Sequence, residues 1–255
     1  MLFRSGEDSS DIVTEKHIQR AIEEKIYRSN KYEEKLSESF ENGTILMDLD
    51  GEKIGQINGL AVLSTGDYSF GKPSRITASV YSGEDGIINI EREAKQSGKT
   101  HDKGVLILSG YLGERFATKK PLGISIGIGF EQNYSIIDGD SASSTELYAI
   151  LSAMAKVPIK QHIAVTGSVN QKGEIQPIGG VNEKIEGYYE ICKKKGLTGI
   201  QGVMIPKRNI KNLMLKKDVI EAVKEGKFHI YAIETIEEGI EILTGLKAGD
   251  RKSVV

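Results

Sequence analysis

The sequence lacks several features that mark large classes of protein. Its 255 residues include one cysteine, Cys192, and no tryptophan. A single cysteine excludes an intrachain disulfide and argues against a cysteine-based metal site, and we expect Cys192 to be chemically inert. No apolar run approaches the ~20 residues of a transmembrane helix, and no signal-peptide pattern opens the chain. These absences predict a soluble, cytoplasmic protein with no membrane segment.

An excess of one charge sign is also missing. The formal net charge is −2, and acidic and basic residues are interspersed along the chain. Binding to nucleic acid or to an anionic membrane surface needs a basic footprint, and the sequence has none. We therefore expect no nucleic-acid partner for this domain.

The first part of the chain divides into a polar lead and a helical segment. Residues 1–10 have the composition of a disordered lead. Residues 14–41 have a helical pattern that Thr14 can cap, with a narrow apolar stripe and many charged residues. Such a helix buries too little to be stable alone, so we expect it to dock on something outside this chain.

Strand patterns follow from residue 43. Two apolar runs on either side of Asp50 and Gly51 predict a hairpin. Residues 75–81 and 123–130 alternate as strands, and residues 104–112 form a short apolar run that passes into a helix. Beyond residue 140 helices and strands alternate as far as residue 245, and among them we expect a helix that stops at Gly196 and a strand that stops at Pro206. The pattern predicts an α/β fold with a mixed sheet, built as one main domain.

One segment imitates a nucleotide-binding motif. Residues 66–73 closely match the motif of a phosphate-binding loop, but Pro73 stands where a Ser or Thr hydroxyl would bind Mg²⁺. Tyr68 and Phe70 are also bulky for a loop that wraps phosphate with backbone amides. We interpret this segment as a hairpin turn and predict no nucleotide site.

A candidate nucleophile, Ser141, stands at the start of the helix that follows the alternating strand, where free N–H groups of the first helical turn can bind an oxyanion. Residues 138–143 are similar to a Gly-x-Ser-x-Gly elbow around Ser141, but the last glycine is replaced by Ser143 and no suitable histidine follows. None of the histidines has an acidic partner at a recognisable spacing; they are His17, His101, His162 and His229. A histidine-based triad is therefore not expected.

Lysine is the other residue that can activate a serine, provided that it is desolvated enough to be neutral near pH 7. Lys184 follows a Pro-x-Gly-Gly segment, opens a predicted helix and has the apolar neighbours Val181 and Ile185. By itself this segment favours an ordinary surface lysine in the first turn of a helix.

Two separated motifs and the strand between them point to one family. The pattern D-G-x-S-A surrounds Ser141, the pattern P-x-G-G-x-x-x-K ends at Lys184, and a Thr-Gly pair follows the intervening strand. The matching residues are Asp138, Gly139, Ser141, Ala142, Thr166, Gly167, Pro177, Gly179, Gly180 and Lys184. Over residues 43–245 the chain thus resembles the Lon protease family, and Asp140 beside the serine is similar to its membrane-associated or archaeal-type branch.

This resemblance implies a domain plan. Residues 43–245 would form a mixed-sheet Lon proteolytic domain. Residues 1–42 would hold the disordered lead and a helical remnant of the small subdomain of an ATPase module, and residues 246–255 a flexible tail. The resemblance implies assembly into a hexameric ring and no metal or cofactor in this chain. ATP and Mg²⁺ would be needed only by the ATPase module, whose core the chain does not contain.

The resemblance also implies a function. It predicts a serine endopeptidase that cleaves unfolded polypeptides through an acyl-enzyme, with Ser141 as nucleophile, Lys184 as general base and Thr166 hydrogen-bonded to the lysine. Asp140 and Glu131 are either solvated loop acids or groups that close the resting site by pairing with Lys184. The alternative function is a catalytically silent ring scaffold, a chaperone-like partner of a separate ATPase.

Overall fold

The structure is a computed structural model that describes residues 12–66 and 68–249. The predicted disordered lead at residues 1–10 and the end of the predicted flexible tail lie outside the described residues.

A mixed sheet forms the centre of the molecule. The strands in the described residues are β1 Glu52–Lys53, β2 Gln56–Thr65, β3 Tyr68–Ser82, β4 Gly86–Asn89, β5 Ile124–Phe130, β6 Ile159–Lys160, β7 Ile163–Val165, β8 Ser168–Val169, β9 Ile175–Gln176, β10 Gly202–Pro206 and β11 His229–Ile233. Seven of them form one sheet in the order β11-β10-β7-β2-β3-β5-β4. Neighbouring strands from β11 to β2 are parallel, β3 is antiparallel to both β2 and β5, and β4 is parallel to β5. The predicted α/β fold with a mixed sheet is confirmed.

Helices cover both faces of this sheet. They are α1 Glu15–Ser29, α2 Lys31–Glu41, α3 Ile90–Glu93, α4 Lys99–Phe116, α5 Ser143–Ala155, α6 Val181–Lys195, α7 Lys217–Lys224 and α8 Ile236–Thr244, with a 3₁₀ helix at Lys207–Asn212. Residues 104–112, which the sequence predicts as a short run that passes into a helix, lie wholly within α4.

The core is divided in two by the sheet. Successive side chains of a strand point to opposite faces, and in β10 Val203 and Met204 accordingly belong to different apolar clusters. One cluster packs α4, α5 and α8 against the sheet, and the other packs α6 and α7 against it. Helices that reach the same edge of the sheet from opposite faces can therefore meet there.

The hairpin predicted around Asp50 and Gly51 is wrong. The short strand after Gly51, β1, pairs with β6 rather than with β2. The hairpin of this region consists of β2 and β3, and Gly66 in its turn adopts a positive φ of 65°. Most of the segment that imitates a phosphate-binding loop lies in β3, where Pro73 pairs with Leu60.

The long helix predicted over residues 14–41 is two helices that meet at Asn30. The second of them, α2, packs on α6 of the same chain, with Phe40 only 1% exposed and Lys194 Nζ 3.2 Å from Glu41 Oε1. Tyr68, at the start of β3, donates a hydrogen bond to Glu33 of the same helix. The expectation that this segment docks outside the chain is thus wrong for α2, because Phe40 is buried while the helix packs on α6 of the same chain.

Candidate active site

The candidate nucleophile and base come from opposite faces of the sheet. Ser141 ends the loop between β5 and α5, Lys184 lies in the first turn of α6, and Thr166 follows the carboxyl end of β7. The three residues meet at this carboxyl end, which is the edge where ligands bind in open α/β sheets. The sequence places Ser141 at the start of the helix, whereas α5 begins at Ser143 with Ala142 as its cap.

The side chains of these residues lie within hydrogen-bonding distance of one another. Lys184 Nζ lies 2.7 Å from Ser141 Oγ and donates to Thr166 Oγ1 at 3.1 Å. Thr166 Oγ1 in turn donates to the carbonyl oxygen of Ser141 at 3.1 Å, and the N–H of Gly167 donates to the same oxygen at 2.8 Å. The structure thus brings together the three residues that the sequence motifs single out.

Two glycines let the lysine helix approach the β2–β3 hairpin closely. A Cβ at Gly180, which caps α6 with a φ of 67°, would lie 2.6 Å from a methyl group of Val62. A Cβ at Gly71 would lie 2.1 Å from the carbonyl oxygen of Glu183. At Gly71 the clash would be with backbone, which cannot give way, and at Gly180 the positive φ adds strain to the clash with Val62, so glycine is required at both positions. This packing fixes the first turn of α6 and with it Lys184.

Burial weakens the affinity of the Lys184 amine for its proton. The side chain is 2% exposed, and this desolvation lowers the pKa of Lys184 to about 8. The negative charges of Asp140 and Glu183 act against that shift and keep the pKa from falling further. The alternative of an ordinary surface lysine is therefore wrong.

The two acidic candidates have other partners. Asp140 Oδ2 accepts a hydrogen bond from Ser168 Oγ at 2.8 Å. Glu131 is exposed and accepts from Thr77 Oγ1 at 2.7 Å. Within the described part of the chain neither carboxylate forms an ion pair with Lys184, so Asp140 acts on the lysine only through its nearby charge.

Comparison with known proteins agrees with this geometry. The family model of the Lon protease (S16) C-terminal proteolytic domain matches residues 126–245. A Lon protease homolog from Escherichia coli (strain K12) is 41% identical over 227 residues, which are 88% of this chain and 39% of that protein. The chain belongs to the Lon protease family. An archaeal Lon protease from Thermococcus kodakarensis is 34% identical over 194 residues, 76% of this chain and 28% of that relative. The chain therefore spans about two fifths or less of the length of these Lon relatives.

The backbone donors near Ser141 differ from the expectation for this Lon domain. The sequence predicts that free N–H groups in the first turn of the helix can bind an oxyanion. Two of them are already engaged, because the N–H of Ser143 donates to the carbonyl oxygen of Asp140 and that of Ser144 to the carbonyl oxygen of Gly167, both at 3.0 Å. Among the described residues, the N–H groups of Ser141 and Ala142 have no acceptor.

Sequence reasoning missed a buried pair next to the loop that carries Ser141. His101 Nε2 lies 3.0 Å from Glu146 Oε1, and each side chain is 1% exposed. The sequence gives no histidine an acidic partner at a recognisable spacing, and the partner of His101 lies 45 residues further along the chain. The available signal was Glu146 itself, because it lies in a helical segment of mostly apolar residues, and a buried carboxylate needs a partner.

Other kinds of site find no support in the described residues. No group of three or more His, Cys, Asp or Glu in residues 12–66 and 68–249 can hold a metal ion. No helix in those ranges is both long and apolar enough to cross a membrane. Cys192 is fully buried, and burial raises its pKa to about 12, which agrees with the expectation of an inert thiol.

Proposed function

We propose that this Lon domain is a serine endopeptidase that cleaves unfolded polypeptides with Ser141 as nucleophile and Lys184 as general base. The observation that carries the proposal is the 2.7 Å separation between Ser141 Oγ and the amine of a buried lysine. A lysine with a pKa of about 8 is neutral often enough near neutral pH to accept a proton from a hydroxyl.

The reaction follows from these positions. Neutral Lys184 accepts the hydroxyl proton as Ser141 Oγ attacks the carbonyl carbon of the peptide bond. The resulting ammonium returns that proton to the nitrogen of the leaving amine as the carbon–nitrogen bond breaks, and an acyl-enzyme remains. Water then attacks the ester carbon and loses a proton to Lys184. The ammonium returns this proton to Ser141 Oγ as the bond from Oγ to the acyl carbon breaks, and the second product leaves as a carboxylic acid. Thr166 orients the lysine amine throughout.

The tetrahedral intermediates carry a negative oxygen that needs donors. The unbonded N–H groups of Ser141 and Ala142 are the candidates, and they lie at the positive end of the α5 dipole. Asp140 is proposed to modulate the base through its charge, whereas the bond from Thr77 to Glu131 supports a structural role for Glu131.

The whole-protein properties are proposals that rest on the longer Lon relatives. A preceding ATPase module would use ATP and Mg²⁺ to unfold substrates, and the proteolytic domains would assemble into a hexameric ring. The domain itself is proposed to need no metal or cofactor. Burying an amine costs free energy, and a catalytically silent scaffold gains nothing from a buried lysine placed beside a serine. The pair of Lys184 and Ser141 therefore argues against that alternative.

The test is hydrolysis of unfolded casein by the purified chain beside Ser141→Ala. The nucleophile variant should remain folded and lose activity by a factor of about 10³ or more. Ser135→Ala, which removes an exposed hydroxyl from the same loop, is the matched control and should keep wild-type activity. If Ser141→Ala retains even a tenth of the activity, the serine is not the nucleophile.

A further inference from the structure

A buried ion pair joins the first turns of two helices behind the nucleophile. His101 lies in the first turn of α4 and Glu146 in the first turn of α5. Their side chains are both 1% exposed and meet at 3.0 Å between Nε2 and Oε1. Burying two charges costs several kcal/mol per ion before their attraction is counted, so a pair at this place is not explained by stability alone.

Further polar groups surround the imidazole. His101 Nδ1 lies 2.9 Å from Ser97 Oγ, which donates to Asp102 Oδ1 at 2.6 Å. The carboxylates whose charges act on the ring are Glu146 of α5, Glu91 of α3 and Asp102 of α4. Burial lowers the pKa of His101, but the hydrogen bond that its Nε2–H donates to Glu146 and these charges outweigh it and raise the pKa above the ordinary value. Burial also raises the pKa of Glu146, while its hydrogen bond to His101 and the charge of the imidazole lower it. Because Ser97 Oγ donates to Asp102 and therefore accepts from His101 Nδ1, both ring nitrogens have an acceptor, and we assign the shared proton to His101.

The start of the nucleophile loop is attached to α4. Asp138 Oδ1 accepts hydrogen bonds from the N–H groups of Thr100 at 3.1 Å and His101 at 3.3 Å. Just before it, the carbonyl oxygen of Ile137 accepts from the N–H of Gly98 at 2.7 Å. Residues 137–138 therefore follow any movement of the first turn of α4.

The end of the same loop is attached to α5. Ser141 stands two residues before Ser143, where α5 begins, and Glu146 donates its N–H to the carbonyl oxygen of Ala142 at 2.9 Å. Ser141 is thus held between two anchor points, one on each helix. The hydrogen bond between the side chains of His101 and Glu146 connects α4, which holds the start of the loop, to α5, which holds its end.

We propose that His101 and Glu146 are positioning residues, whose ion pair fixes the separation of α4 and α5 and thereby holds Ser141 Oγ within reach of Lys184. The inference rests on the proposed function, because it assigns the pair a role in that reaction. Neither residue touches the dyad. Their effect is on the geometry of attack, where a displacement of about 1 Å can cost about 100-fold in rate.

A purely structural role makes a different prediction. Where a buried ion pair serves stability only, apolar side chains of similar volume often replace it without loss. The double variant His101→Leu/Glu146→Met removes both charges together and should fold. A structural role would then restore the rate along with the stability, whereas a positioning role would restore the stability alone.

The experiment measures kcat, KM and the melting temperature for hydrolysis of a fluorogenic peptide. We expect Glu146→Gln to lower kcat by about 10- to 100-fold with KM within about twofold of wild type. The double variant should melt at or above the temperature of Glu146→Gln while its kcat remains equally low. The matched control is Glu91→Gln, which alters another buried carboxylate beside His101 that bonds to the N–H of Phe130 rather than to α5, and it should keep kcat within about threefold.

A double variant with wild-type kcat, or an unchanged kcat in Glu146→Gln, overturns the positioning role. If the double variant does not fold, Glu146→Gln decides the question alone through its kcat and KM. Ser141→Ala in the same assay separates the two claims. If Ser141→Ala is inactive and Glu146→Gln has the wild-type kcat, only this inference is rejected. If Ser141→Ala is active, the proposed function is rejected and the inference with it.

Discussion

Thr166 is the residue on which the geometry of the dyad depends most directly. Its hydroxyl accepts from Lys184 Nζ at 3.1 Å and donates to the carbonyl oxygen of Ser141 at 3.1 Å, so one side chain contacts both the proposed base and the backbone of the proposed nucleophile. A valine at this position has the same shape but can make neither bond.

We expect Thr166→Val to lower kcat for peptide hydrolysis by about tenfold, since a net hydrogen bond is worth about 1 kcal/mol and the lysine loses one of its two partners. Thr166→Ser keeps the hydroxyl and should stay within about threefold of wild type. Thr77→Val, which removes a hydroxyl bonded only to Glu131, controls for the loss of a threonine. A Thr166→Val enzyme that works at the wild-type rate would show that the lysine needs no orienting partner.

At this scale the sequence predicted the residues but not their surroundings. The dyad and Thr166 stand in motifs that can be read along the chain. The partner of Asp140 is Ser168, and the partner of His101 is Glu146, 45 residues further along. Such contacts depend on how distant elements pack, and no local pattern contains that information.

At the scale of elements, α2 packs on the domain that follows it, although the sequence predicts that residues 1–42 derive from another module. Phe40 is 1% exposed in this helix, whereas Tyr27 of the preceding helix is 76% exposed. Because α2 packs on α6, which carries Lys184, the stability of the catalytic domain should depend on it.

We expect Phe40→Ala to reduce the free energy of unfolding by about 3–5 kcal/mol, because it removes a fully buried aromatic side chain. Tyr27→Ala, which deletes a large side chain from the exposed face of α1, should change it by no more than about 0.5 kcal/mol. Denaturant unfolding of the two variants beside wild type measures both values. Equal stability of all three proteins would mean that α2 does not unfold cooperatively with the rest of the domain.

Elements with strong local signals were predicted well, and those that depend on distant partners were not. Helix α6 ends at Gly196 and strand β10 at Pro206, as the sequence indicates. The hairpin was assigned to the wrong turn because Gly51 and Gly66 both adopt positive φ, and a turn signal does not say which strand its neighbour will pair with. The break at Asn30 was missed because the helical pattern continues through it.

For the whole molecule, the expectation is peptidase activity that does not depend on ATP. Gly71, Lys72 and Pro73 of the imitated phosphate-binding loop lie inside β3, where their backbone pairs with β2 and cannot wrap phosphate. This segment therefore gives the chain no means of coupling ATP to the unfolding of a substrate.

We expect weak cleavage of a flexible peptide by this chain at the same rate with and without Mg-ATP, and no loss of a stably folded reporter protein in either case. The same reporter, chemically unfolded before addition, is the control and should be degraded. Degradation of the folded reporter only when ATP is present would contradict the assignment of β3 and the predicted domain plan together.

The claim that a buried lysine activates Ser141 is tested most directly by the pH dependence of phosphonate labelling at that serine. Lys184 can accept a proton only when it is neutral, so labelling should rise with pH and reach half its maximum at about pH 8, well below the ~10.4 of a free lysine. Lys184→Arg should abolish labelling over the same range, because a guanidinium does not lose its proton there. A labelling rate that stays flat from about pH 6 to about pH 10, or a Lys184→Arg variant that labels as fast as wild type, would contradict the account.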